Sequence, residues 1–76
     1  MTEQRKRDII YMQTNCVYLY SKKKRIPIRD VVNIFVKYNI FDFISEFYEL
    51  LHLYGDDAIL RDICRRIKEA TSNKGE

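Results

Sequence analysis

Along this chain the apolar residues return every three or four positions in four successive stretches, and that period of about 3.6 marks helices. Ile9, Met12, Cys16, Leu19 and Tyr20 fall on one stripe, widened by Ile10 and Val17, which predicts a first helix over residues 3–22. Lys22, Lys23, Lys24 and Arg25 follow, then Ile26, Pro27 and Ile28. Lysines suit the negative end of a helix dipole, and the fixed φ of proline prepares the next helix start. A second helix is predicted over 28–38, with Val31, Ile34, Phe35 and Tyr38 on its core side. Val32 and Val36 broaden that arc beyond what a surface helix needs, so this helix is expected to be sandwiched. Asn39 suits the left-handed position that closes it.

The stretch from Ile34 to Gly55 holds all four phenylalanines and half of the tyrosines. A third helix is predicted over 42–54, with Asp42 as its N-cap. On its wheel Phe43, Ile44, Phe47, Tyr48, Leu50, Leu51 and Tyr54 share one side, while Asp42, Ser45, Glu46 and Glu49 fill the other. Leu53 falls among the acids. Gly55 is expected to end this helix in a left-handed conformation, and Asp56 or Asp57 to cap a fourth helix over 56–69. There Ile59, Leu60, Ile63, Cys64 and Ile67 form the buried stripe, with Arg61, Arg65 and Lys68 on another face. Residues 70–76 are expected to be a disordered tail. The pattern therefore predicts an all-α, compact bundle of four short helices in one domain spanning 1–76, the third helix central.

Composition narrows this picture. A chain of 76 residues with two glycines and one proline has little material for turns, and its 46% hydrophobic and 33% charged content is that of a folded domain. Such a length lies near the lower limit at which one apolar core sustains a fold, so the core is used fully or shared with a partner. Cys16 and Cys64 match no metal or redox spacing and lie on apolar stripes, which points to free thiols and a reduced, cytoplasmic setting. No window is apolar enough to span a membrane, and the polar N-terminus is unlike a secretory signal.

Charge changes the picture more. Residues 1–40 carry nine basic and three acidic side chains, residues 41–57 five acidic and no basic ones, and residues 58–76 five basic and three acidic ones. The total of +3 thus conceals a dipolar chain. No catalytic, cofactor-binding or metal-ligating set can be assembled, and His52, the single histidine, is read as structural, at the edge of the core. Two sets of surface residues remain. Tyr11 and Tyr18, one heptad apart on the first helix, and Glu46, Glu49 and Leu53 on the third are candidates for contact with another protein. Arg5, Lys6 and Arg7, with Lys22, Lys23, Lys24 and Arg25, are candidates for holding nucleic-acid phosphates.

One series is distinctive: Val31, Ile34-Phe35, Lys37-Tyr38, Ile40, Asp42-Phe43-Ile44, Phe47-Tyr48, Leu51-His52, Gly55 and Asp62-Ile63. It resembles a family of short bacterial proteins known only as a domain of unknown function, number thirty-seven ninety-one. The resemblance runs from the region of Cys16 to about Ile67. It implies a small helical protein without an assigned activity, encoded beside an ADP-ribosyltransferase-like protein. The chain departs from the family pattern at Pro27-Ile28 and at Leu53-Tyr54, and both changes make its surface more apolar. The expectation is a non-enzymatic interaction module, an antitoxin or accessory subunit of such a neighbour, with homo-oligomerisation as another use of the same surfaces. Binding of nucleic acid by residues 5–7 and 22–25 is the alternative.

Overall fold

The first helix, α1 (Glu3–Lys24), is the longest element and sets the frame of a computed structural model that describes residues 2–73. Thr2 caps its start, its hydroxyl oxygen accepting from the Arg5 N–H at 3.1 Å. The basic run carries α1 past the predicted end at 22: it is the last turn of the helix and its cap. Lys22, Lys23 and Lys24 are helical, while Arg25 takes the left-handed conformation at φ 59°. The N–H groups of Arg25 and Ile26 both donate to the Ser21 carbonyl, and the Ser21 hydroxyl donates to the Ile26 carbonyl at 2.6 Å.

Pro27 is the N-cap of α2 (Ile28–Lys37), its carbonyl accepting from the N–H groups of Asp30 and Val31. Asn39 has the expected left-handed backbone, φ 58°, and α3 (Ile40–Glu46) begins directly after it. Asp42 therefore lies within the first turn of α3 and is not its N-cap.

The predicted third helix is two helices. At Phe47 the backbone leaves helical geometry, φ −105° and ψ 19°, and a short α4 (Tyr48–Leu51) follows. The Phe47 N–H still donates to Phe43, but the bonding then restarts on the Phe47 carbonyl, which accepts from both Leu50 and Leu51. This break re-aims the side chains beyond it. Phe43, Ile44 and Leu51 are buried, whereas Phe47, Leu50 and Tyr54, all expected inside, are exposed.

The last element, α5 (Asp56–Asn73), starts from Gly55, whose carbonyl accepts from Ala58 and Ile59. Gly55 does not have a positive φ, so it opens α5 and is not a left-handed stop; Asp56 and Asp57 sit in the first turn. Helix continues through residues 70–73, past the expected boundary at 69, with the Thr71 hydroxyl donating to the Lys68 carbonyl. The remainder of the expected tail, 74–76, lies outside the described residues.

The described residues thus form an all-α structure of five helices, with a radius of gyration of 12.5 Å and no strand among them. Its core joins Cys16, Val17 and Tyr20 of α1, Val31 and Phe35 of α2, Ile40, Phe43 and Ile44 of α3, Leu51 of α4, and Ile59, Leu60, Ile63 and Ile67 of α5. Phe35 meets Tyr20 and Phe41 edge-on, with ring centroids 5.5 and 5.4 Å apart. The central position expected of the third helix is shared: α3 packs on α1 and α2, and α1 itself meets α2, α3 and α5. On α2 only one side is covered, so the expected sandwiching does not occur.

Candidate interaction surface

Surface chemistry here begins with where the break at Phe47 sends its neighbours. The Leu50 N–H donates to Phe47 at 3.0 Å and the Leu53 N–H to Leu50 at 3.2 Å, both three residues back. Bonds of that span bring side chains at i and i+3 into line. Phe47, Leu50 and Leu53 therefore form one apolar ridge, 39%, 50% and 71% exposed. Leu53 is not a single leucine among acids; it ends this ridge. Beside it, each one residue earlier, run Glu46, Glu49 and His52.

Glu49 is held from α1. Arg5 forms an ion pair with its carboxylate, and the Arg5 guanidinium lies 5.2 Å from the centre of the Tyr48 ring. Tyr48 stacks in turn on His52 at 5.2 Å, and the His52 Nε2 is 3.9 Å from Glu49. The structure thus joins Arg5, a candidate for phosphate contact, to Glu49, a candidate for protein contact. His52 belongs to this exposed group and not to the core edge. Glu46 is exposed with no ion pair among the described contacts.

The tyrosine face of α1 is also outward. Tyr11, 74% exposed, rims a cleft of about 100 Å³ walled by Met12, Leu19, Ile59 and Leu60. At the cleft floor the buried Cys16 thiol is pushed up to about 12 by loss of solvent and then by the charge of Asp56, which keeps it protonated and unreactive. Tyr18 is engaged with Lys22, whose ammonium donates to its hydroxyl at 3.4 Å and lies 5.3 Å from its ring centre. Both cysteines are free.

The candidate phosphate-binding residues are not brought together as one set. Since α1 is continuous, residues 5–7 and 22–25 are separated by roughly 25 Å along its axis. Lys23 and Lys24 gather instead with Arg61, Arg65 and Lys68 of α5, along open hollows that share Cys64. Arg65 forms an ion pair with Asp62 of its own helix, and Arg66 covers the Phe43 ring at 4.1 Å. Lys6 and Arg7 are exposed on α1. Among the described residues no group of histidine, cysteine and carboxylate side chains could hold a metal ion, and no helix is long and apolar enough to cross a membrane.

A second apolar ridge lies on α2. Ile28, Val32 and Val36, at i, i+4 and i+8, are 52%, 37% and 62% exposed, opposite the buried Val31 and Phe35. Arg29, Asn33 and Lys37, each one residue later, run beside it. The excess width of the α2 arc, read from the sequence as a sign of burial on both sides, is this exposed ridge instead, and Ile28 was not part of that arc; of the α4 ridge only Leu53 was singled out by its pattern.

The aromatic series that positions these ridges is matched by a family model described as a protein of unknown function, DUF3791, over residues 11–70. The chain belongs to the DUF3791 family. That match takes in α2, α3 and α4 entire, together with most of α1 and α5, so both ridges lie within the family domain, whereas Arg5 of the α1 clamp lies outside the matched span. Neither a curated protein nor a solved structure matches this DUF3791 chain.

Proposed function

We propose that this DUF3791 chain is a non-enzymatic protein–protein interaction module, and that the α4 ridge is the surface it presents to its partner. The observation that carries this reading is the exposure of Phe47, Leu50 and Leu53 in one line beside Glu46 and Glu49. Apolar area of that kind, rimmed by charge, is the usual form of a docking surface. The partner this reading assigns is an ADP-ribosyltransferase-like protein from the neighbouring gene, with the chain acting as antitoxin or accessory subunit. Tyr11 and Tyr18 supply a second, separate aromatic contact.

Co-expression of the two gene products followed by size-exclusion chromatography tests the proposal. Co-elution is expected, and Leu50→Asp with Leu53→Asp should abolish it while leaving the helical circular dichroism intact. Separate elution of the two wild-type proteins, or co-elution untouched by those substitutions, overturns it.

One observation favours a second reading, the binding of nucleic-acid phosphates, since Lys23 and Lys24 meet Arg61, Arg65 and Lys68 across the α1–α5 surface. On that reading, affinity for duplex DNA or RNA falls steeply as salt rises, and Lys23→Ala with Lys24→Ala removes most of it. A flat salt response eliminates it.

A further inference from the structure

The two exposed ridges differ in charge but match in form. Ile28, Val32 and Val36 are flanked by Arg29 and Lys37, and Phe47, Leu50 and Leu53 by Glu46 and Glu49. Each has three large apolar side chains in a line with a row of polar residues one position away. If two α2 ridges met, Arg29 and Lys37 would face their own copies; if two α4 ridges met, Glu46, which no cation pairs among the described contacts, would do the same. Like charges across an interface are costly, whereas the crossed pairing sets basic rim against acidic rim. The wider charge distribution favours the same arrangement, because residues 41–57 carry five acids and no base within an otherwise basic chain.

We infer that the α2 ridge is a docking site for the α4 ridge of a second copy of this chain. Ile28, Val32 and Val36 take up Phe47, Leu50 and Leu53 of the other molecule, with Arg29 and Lys37 facing its Glu46. Two copies related by a two-fold axis make this contact twice, and a simple head-to-tail relation makes it once per pair and leaves both ends open. Two short ridges form a contact at the small end of specific interfaces. The inference rests on the proposed role of the α4 ridge and adds a consequence: self-association covers the surface that the heterologous partner would use, so the two contacts compete.

Sedimentation velocity of the whole chain across a concentration series tests this. The wild type is expected to shift from monomer to a larger species as concentration rises, and Val36→Asp or Leu53→Asp alone should weaken association by at least about tenfold. The deciding experiment exchanges charge. Arg29→Glu with Lys37→Glu, and separately Glu46→Lys, should each give a monomer; mixing the two variants should restore association. All these positions are exposed, and circular dichroism verifies that each variant keeps its helices. A wild type monomeric up to about 1 mM overturns the inference. So does association that survives Val36→Asp, or a mixture of the charge-reversed variants that stays monomeric. The α2 variants also separate this inference from the partner reading, since Arg29→Glu with Lys37→Glu leaves the α4 ridge intact for a heterologous partner.

Discussion

Among the described residues, Arg25 and Asn39 are the two non-glycine residues with a left-handed backbone, and both stand where one helix hands over to the next. The conformation crowds the Cβ of any L-residue against its own carbonyl, a penalty glycine escapes. Arg25→Gly should therefore stabilise the fold by about 0.5–1 kcal/mol, measured by urea denaturation, although an exposed charge is lost near the α1 dipole. Cys16 exerts the opposite kind of constraint. Its thiol ionises near its ordinary 9.0 once the chain unfolds but is held up to about 12 while buried. The unfolded chain consequently loses a proton first as pH rises, so the stabilisation is complete below pH 9 and is lost towards 12. Burial raises the Tyr20 hydroxyl as well, which adds to the same slope. In Cys16→Val the fall of unfolding free energy across that pH window should be shallower, though not absent.

At the scale of elements, the break between α3 and α4 decides which residues matter for stability and which for contact. Leu51 is 1% exposed and Leu50 50%, although a straight helix would have placed both on the buried arc. Leu51→Ala should cost about 2–5 kcal/mol through the cavity it leaves, and Leu50→Ala under about 0.5 kcal/mol. Equal costs in denaturation experiments would restore the straight helix. What could be read beforehand follows the same division. The stripe Ile59, Leu60, Ile63, Cys64 and Ile67 was legible because α5 meets the core along one face, as its periodicity requires. The start of α2 was legible from Pro27, and its end from Asn39. The break at Phe47 was not, because apolar residues continue in helical register on both sides of it. Gly55 misled for a related reason: glycine is common both after a helix and before one, and only the backbone shows that it opens α5. Of the candidate contact residues, Leu53 was visible through its acidic surroundings, while Phe47 and Leu50 were assigned to the core by the wheel.

Across the whole molecule, α1 connects regions of opposite charge. Near its start Arg5 holds Glu49 of the acidic segment, and near its end Lys23 and Lys24 lie beside the basic face of α5. The longest dimension of the molecule is 40 Å, and α1 is itself about 33 Å long. Charge is thus spread along a rod-like support and not mixed over a sphere, and that separation is what gives the two ridges their different rims. The same helix also governs how the molecule comes apart. Because α2, α3 and α5 each rest on α1, its inner face cannot be laid bare one neighbour at a time without stripping the others of their support. Backbone amides around Cys16 and Val17 should consequently exchange with solvent only when every helix is lost together, while those of α4, tethered at the margin, open in local fluctuations that leave the rest standing.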